Sequence, residues 1–342
     1  MKYLVTGAAG YIGSHSARAA LQAPEVEVVA VDSLVRGHRG AVDRLARTAG
    51  ARVRFEELDL RDRDATRELL VRERPDAVMH FAGLTLVGES VSRPAEYWGC
   101  NAGGTASLLE AMRTAGTPRL VFSSTAATYG APETMPIGES TPQAPVNPYG
   151  ESKLACESMI RAEVAAARKD GRSFAATMLR YFNVAGCASD GLLGEDHVPE
   201  THLVPSALQA AAGMRPALQL FGTDYSTPDG TCVRDYVHVE DLAEAHVVAL
   251  RAMREHACEA YNVGIGRGFS VREVFAECER VAGRRIPVEV APRRDGDPPV
   301  LLADPARIMR ELGWQPAHRT LAPMVESAWR WIQANPRGYE GS

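Results

Sequence analysis

Tyr3-Leu-Val-Thr-Gly-Ala-Ala-Gly-Tyr-Ile-Gly13 decides the fold of this chain. The β-branched, apolar run over residues 3–6 predicts a strand, and the glycine-rich turn after it predicts the start of a helix. Gly7, Gly10 and Gly13 follow a G-x-x-G-x-x-G spacing, which differs from the G-x-G-x-x-G dehydrogenase fingerprint. Glycines at such a turn let the backbone approach a pyrophosphate, and the helix start at Tyr11 and Ile12 offers unpaired N–H groups and a positive dipole. About twenty residues on, Asp32-Ser33 ends the next apolar run. A carboxylate there can accept hydrogen bonds from a ribose hydroxyl and repels a 2′-phosphate, which favours NAD over NADP, although Arg36 and Arg39 follow closely.

Strand-like runs at 3–6, 26–31, 53–56, 77–81 and 120–123 alternate with helical patterns. That rhythm marks βαβ units, and near-continuous apolar runs such as Glu27-Val-Val-Ala-Val31 suit strands covered on both faces. The predicted class is α/β: a Rossmann-type, doubly wound parallel sheet in residues 1–180, followed by a smaller α/β substrate domain in 181–342. Within the latter, residues 239–254 have helical apolar spacing, and the segment around 231–254 is expected to pack back on the first domain. Ser270-Val-Arg-Glu273 reads as a capping box, Asp304-Pro305 as a cap before a first-turn proline, and Gly313 as a helix stop.

With 342 residues and 45% hydrophobic content, the chain can bury a large core. Its 38 basic and 43 acidic residues leave a net charge of -5, so neither nucleic acid nor an anionic membrane is expected as a partner. The six cysteines are dispersed, without metal-like clustering, and no metal site is read. Residues 1–7 run straight into the glycine turn without a signal-like segment, and no apolar run approaches spanning length, so a cytoplasmic location is expected.

Further candidates lie at carboxyl ends of predicted strands, where open α/β sheets bind ligands. Asp59-Leu60 suits an adenine edge, and Phe81-Ala82-Gly83 allows close approach of a cofactor. The fifth strand ends in Ser123-Ser-Thr125-Ala-Ala127, and Tyr149-Gly-Glu-Ser-Lys153 follows. A phenol and an ammonium four residues apart share a helix face, and a cation beside a tyrosine lowers its pKa toward that of a general base. Alone, the pair reads more readily as a half-buried Tyr beside a solvated Lys.

A strand-end hydroxyl, a helical Tyr and a Lys one turn later, downstream of the glycine turn, resemble the extended short-chain dehydrogenase/reductase superfamily. Within it, Phe81-Ala-Gly-Leu-Thr-Leu-Val-Gly-Glu-Ser90, Leu179-Arg-Tyr-Phe-Asn183, Gly194-Glu-Asp-His197, Phe221-Gly-Thr-Asp-Tyr225, Asp229-Gly-Thr-Cys-Val-Arg-Asp-Tyr236 and Ala291-Pro-Arg-Arg-Asp-Gly-Asp297 resemble the UDP-glucose 4-epimerase family. The resemblance spans nearly the whole chain. It implies that Tyr149 is the acid and base, Lys153 its tuner and Thr125 the hydroxyl partner. It further implies a tightly bound NAD touched by Asn101 and Phe182, with a helix cap as the alternative reading of Asn101. A UDP group would be held by Asn183, His202-Leu203, Gln219-Leu220-Phe221, Arg234 and Arg294. His202 departs from relatives that carry Asn, and Leu301 falls where a bulky or small residue gates the sugar.

The implied activity interconverts UDP-glucose and UDP-galactose through transient oxidation at C4. Alternatives are another nucleotide-sugar 4-epimerase, acting on UDP-N-acetylhexosamine or UDP-pentose, a nucleotide-sugar dehydratase, or a non-catalytic NAD-binding regulator. Dehydratase relatives carry Asp-Glu after the strand-end Thr, where this chain has Ala126-Ala127. Relatives pair two helices per subunit as homodimers, and residues 101–113 and 149–168 are the candidates here.

Overall fold

The computed structural model describes residues 1–294 and 297–341. Its first half runs β1 (Lys2–Thr6), α1 (Tyr11–Ala20), β2 (Glu27–Asp32), α2 (Arg39–Ala49), β3 (Val53–Glu57), α3 (Arg63–Glu73), β4 (Ala77–His80), α4 (Val87–Ser92), α5 (Pro94–Tyr97), α6 (Gly104–Ala115), β5 (Arg119–Thr125), α7 (Pro148–Lys169) and β6 (Ala175–Tyr181). Then come β7 (Asn183–Ala185), α8 (Leu203–Ala211), β8 (Leu218–Phe221), β9 (Val233–His238), α9 (Val239–Ala252), β10 (Cys258–Val263), β11 (Gly268–Ser270), α10 (Val271–Ala282), β12 (Val288–Ala291), β13 (Val300–Leu301), α11 (Ala306–Leu312) and α12 (Leu321–Ala334).

Seven strands form one sheet in the order β3-β2-β1-β4-β5-β6-β10. Every adjacent pair is parallel, with Leu4 opposite both Val29 and Val78. Parallel sheets need both faces covered. Side-chain alternation supplies this: Tyr3, Val5, Val28 and Ala30 enter one apolar cluster, while Leu4, Val29, Val31 and Val78 enter another with Leu108 of α6 and Ile160 of α7. Burying each such Val or Leu contributes about 1.5–3 kcal/mol. From β1 the chain winds outward through β2 and β3, then returns to β4 on the other side of β1. The switch opens a crevice above the carboxyl ends of β1 and β4, where ligands bind in such folds.

The chain returns to this sheet after residue 181. α9 packs on α1, and β10 adds the edge strand beside β6, with Tyr261 opposite Leu179. The other late strands make two small sheets: β9 takes β11, β13 and β7 as neighbours, and β8 pairs with β12. They stand over the same crevice and carry Asn183, Arg234, Leu301 and the 219–221 run.

Ser270 and Glu273 form the expected capping box, and Gly313 ends α11 at φ 68. Pro305 differs from expectation. It precedes α11 at φ -88 and ψ 5 instead of forming the first turn, and Asp304 Oδ1 accepts from the Ala306 N–H at 3.0 Å. Asp295 and Gly296 of the quoted 291–297 segment lie outside the described residues. Among the described residues, no helix is long and apolar enough to cross a membrane.

Candidate active site

A cleft of about 990 Å³ runs from the glycine turn to Leu301. At its inner end Gly7 adopts φ +69, and a Cβ there would lie 2.6 Å from the Ala82 nitrogen. At Gly13 a Cβ would lie 2.1 Å from the Gly7 carbonyl oxygen. These glycines let the turn pack against the end of β4 while α1 starts with its N–H groups toward the cleft; the first intrahelical bond runs from Ser14 N–H to Gly10 O at 3.0 Å. Tyr11 also reaches outward, donating its hydroxyl to the Gly186 carbonyl.

Asp32 ends β2 with its carboxylate accepting from the Ala9 N–H at 3.0 Å and the Leu34 N–H at 2.8 Å. Burial pushes its carboxyl up despite these donors. Neither nearby arginine pairs with it. Arg36 bonds Glu89 at 2.6 Å and the Val198 carbonyl at 3.0 Å, while Arg39 bonds Asp43 at 2.9 Å and covers the Phe55 ring. Ser33, Asp59 and Leu60 line the same stretch, and Arg61 holds the Asp59 carboxyl below its ordinary range.

Phe81, Ala82 and Gly83 form the cleft wall above β4. Behind them, Thr6 Oγ1, the His80 ring and Thr105 Oγ1 make a buried chain, with His80 contacts of 2.7 and 3.0 Å. Asn101 lies beneath the wall. Its Oδ1 accepts from the Leu84 N–H at 2.8 Å, and its Nδ2 donates to the Leu84 carbonyl at 3.1 Å and to Ser152 Oγ at 2.9 Å. It therefore ties the wall to α7.

Thr125, Ala126, Ala127 and Tyr149 open onto the cleft at the end of β5 and the start of α7. Asn147 caps that helix by accepting from the Gly150 N–H at 2.9 Å, which fixes where Tyr149 emerges. Burial pushes the Tyr149 phenol up to about 12, opposed by the Thr125 hydroxyl beside it. Lys153 is buried one turn below and donates to the Ser123 carbonyl at 2.9 Å. Burial lowers its pKa. In the protein alone desolvation dominates both groups, and the Lys153 ammonium bonds a backbone oxygen. Tyr181, which sequence reasoning left without a role although it sits inside the quoted 179–183 segment, shares a hydrogen bond with Ser123 and lines the cleft beside Phe182.

On the far wall, Arg234 donates to Asp297 at 2.6 Å and to the Val233 carbonyl at 2.9 Å. Arg294 lies 4.0 Å from the Phe221 ring centroid. Asn183, Leu203, Gln219 and Leu301 complete the wall. Leu220 does not reach it: β8 alternates, so Leu220 points into the core between Gln219 and Phe221. His202, at the head of α8, contacts Glu195 at 2.9 Å and Glu200 at 3.0 Å, with His197 alongside. Burial opposes the charged imidazoles, but the carboxylates carry His202 up to about 10 and His197 up to about 9. Dispersed in sequence type and set in a loop, this foursome gave no recognisable ligand spacing.

A model of the NAD dependent epimerase/dehydratase family matches residues 3–264. The chain is 49% identical over 340 residues to the UDP-glucose 4-epimerase of Streptomyces lividans, covering 99% of this chain and 98% of that one. It is 47% identical over 341 residues to the UDP-glucose 4-epimerase of Lacticaseibacillus casei, covering 99% of each. Its fold matches that of the UDP-glucose 4-epimerase of Bifidobacterium longum in complex with NAD+ and UDP at a TM-score of 0.92 and 38% identity, covering 99% of this chain and 100% of that one. Similarity of this extent, over a sheet whose switch point holds the glycine turn and the Thr125/Tyr149 pair, makes this chain a member of the NAD dependent epimerase/dehydratase family.

Proposed function

We propose that the protein is an isomerase that interconverts UDP-glucose and UDP-galactose at C4 with a tightly held NAD. The observation that carries this reading is a single cleft onto which the glycine turn, the Thr125 and Tyr149 hydroxyls and two arginines all open. The inner end suits NAD. Gly7 and Gly13 let the turn close tightly against β4 and the start of α1, the α1 N-terminus can take a pyrophosphate, and Asp32 is a ribose acceptor whose neighbouring arginines are engaged elsewhere. Residues 1–180 supply this half, and residues 181–342 supply the nucleotide-sugar half.

NAD, when bound, supplies the acceptor and later donor of the C4 hydrogen and a positive charge that lowers the Tyr149 pKa from its value in the protein alone. The Tyr149 phenolate takes the proton of the C4 hydroxyl, which Thr125 orients, and a 4-keto sugar results. After the hexose turns within the pocket, the opposite face of the C4 carbonyl would take back the hydride that the reduced cofactor supplies, Tyr149 returns its proton to the C4 oxygen, and C4 is inverted with no net oxidation. Lys153, fixed by the Ser123 carbonyl, keeps a positive charge under the site. The hexose must turn without escaping, so the anchors belong on the UDP. Arg234, held by Asp297, and Arg294, laid over Phe221, offer planar forks of donors to the diphosphate, and Asn183, His202, Leu203 and Gln219 flank them. Ala126 and Ala127 place no ionisable group beside Thr125, which suits epimerisation and leaves elimination without its acid.

Purified Tyr149→Phe protein is expected to lose at least about a hundredfold in kcat, with KM changed little. Conversion of UDP-galactose at the wild-type rate by that variant would overturn the assignment.

We also infer a cytoplasmic homodimer. All six cysteines are free thiols, in keeping with a reducing compartment. The outward faces of α6 and α7 present Ala106, Ser158, Ala162 and Ala165, small residues that allow close helix approach. Light scattering on the eluting protein should return twice the chain mass; a monomer at micromolar concentration would refute the dimer.

A further inference from the structure

We propose that Glu195, His197, Glu200 and His202 form a site for one divalent transition-metal ion of the zinc type, stapling the loop before α8 to the head of that helix. Their donor atoms all lie within 4.8 Å of one another. His202 Nδ1 is 2.9 Å from Glu195 Oε1 and 3.0 Å from Glu200 Oε1, while His197 Nδ1 is 3.3 Å from Glu195 Oε1 and 3.6 Å from Glu200 Oε2. Zinc bonds of about 2.0–2.1 Å in a tetrahedron require donor separations of about 3.3–3.4 Å. The four separations bracket that value, with Glu200 facing His197 through Oε2 and His202 through Oε1, so an ion would draw one of these oxygens toward both rings.

The donor chemistry agrees. Two imidazole nitrogens and two carboxylate oxygens suit zinc better than calcium or magnesium, which prefer oxygen alone. The carboxylates neutralise the ion's charge, and their side chains are only 3% and 4% exposed. Glu195 Oε1 and His197 Nδ1 are both buried, and they meet only other members of the cluster: Glu195 Oε1 faces His202 at 2.9 Å and His197 at 3.3 Å. The remaining polar contacts secure the ligands: Glu200 Oε1 accepts from the His202 N–H at 2.8 Å, and Arg215 donates to the Glu200 carbonyl at 3.1 Å. The exposed flank of His202 opens the site to the cleft.

A second cluster, His238, Glu240 and His318, shows what a poor ligand set looks like. His238 Nδ1 accepts from the Glu240 N–H at 3.1 Å, and its Nε2 contacts Ser327 Oγ at 3.2 Å, so neither ring nitrogen is available. At the Glu195 cluster no such backbone donor occupies an imidazole nitrogen. The ligands come from an eight-residue span within a segment of the loop between β7 and α8 that forms no strand or helix. An ion there would hold the cleft wall in place, whether or not the sugar chemistry proposed above is correct.

The test uses the full-length, untagged chain stripped with a chelator and titrated calorimetrically with zinc chloride. One zinc per chain is expected. The double variant His197→Gln, Glu200→Gln should weaken binding by at least about a hundredfold, while His318→Gln should leave it unchanged. Absence of saturable uptake by the wild type, or loss of uptake in His318→Gln alone, would overturn the site. Should the double variant fail to fold, cobalt(II) added to the wild type decides. Intense visible bands of a tetrahedral complex, displaced by zinc, support the site, and the weak spectrum of an octahedral ion refutes it.

Discussion

Tyr149 works against its own burial. A phenol at about 12 cannot serve as a base near neutral pH, so the protein alone holds the site in its protonated, resting form. Thr125 lowers that value, and the Lys153 ammonium, itself weakened by burial, waits on the Ser123 carbonyl. Activation therefore belongs to the loaded site. We propose that selectivity also turns on a single side chain. Leu301 stands on the cleft wall in β13, where its backbone pairs with Arg234 of β9, so its position relative to the UDP anchor is fixed by a strand register. We predict activity on UDP-glucose and UDP-galactose with weak activity on the N-acetylated pair. Leu301→Tyr should suppress the N-acetyl reaction at least about tenfold, by filling space that a methylene-scale change already prices at 1–3 kcal/mol, roughly 10–200-fold. Measuring kcat/KM for both pairs in both proteins checks this, and unchanged selectivity removes Leu301 from the gate.

α7 serves the site on two levels. Its first turn delivers Tyr149, and later turns carry Lys153 and then Glu157, which lies fully buried against Ser124. Glu157 accepts from Ser124 Oγ at 2.6 Å, from Arg180 at 2.8 and 2.7 Å, and from Arg161 at 2.6 Å. Arg180 continues to the Tyr129 hydroxyl at 2.7 Å, which donates to Asn262 at 2.8 Å, joining α7, β6 and β10. Burial opposes the Glu157 charge, but Arg180 carries its carboxyl below the ordinary range. Glu157→Ala would leave the Arg180 guanidinium buried and unpaired, at a cost of about 3–5 kcal/mol. Urea denaturation should show that loss, and a change under about 1 kcal/mol would mean that the network is dispensable. This level of structure was not legible in sequence. The βαβ rhythm, the glycine turn and the Ser270 cap are local patterns, and they read correctly. β10 joining β6, and Ser124 turning toward Glu157 instead of the cleft, depend on pairings between residues far apart in the chain. That Asn101, Lys153 and Leu220 set their side chains behind the cleft wall is likewise visible only in the packed fold.

At the scale of the whole molecule, the sheet buries ionisable groups that constrain its pH range. His15, His80, His238 and His246 are held at about 4, 3, 3 and 4 by burial, against an ordinary 6.5. In the unfolded chain each takes a proton as pH falls through about 6.5, whereas the folded chain refuses it until far lower. Their depressed values therefore contribute stability that is fully present above pH 6.5 and is lost as pH falls toward 4 and 3. Each group left uncharged in the fold steepens the loss by about 1.4 kcal/mol per pH unit. Asp235 acts in the opposite sense below pH 6, because burial raises its carboxyl to about 6 and the fold then holds a proton that the unfolded chain releases. His197 and His202, raised to about 9 and 10, are charged in both states below 6.5 and add no slope there. The decline thus steepens as pH falls below about 6 and stays steep until the folded values near 4 are approached, with Asp235 offsetting one of the histidines. His246 offers the cleanest control: its Nε2 is buried without a partner, and its ring packs 4.7 Å from the Phe81 ring centroid, a setting that a phenyl ring can fill. Urea midpoints of the wild type should fall from pH 6 to 5, and His246→Phe should shallow that fall by about one proton's worth. A flat wild-type profile, or an unchanged slope in the variant, would show that these histidines are not held neutral by the fold.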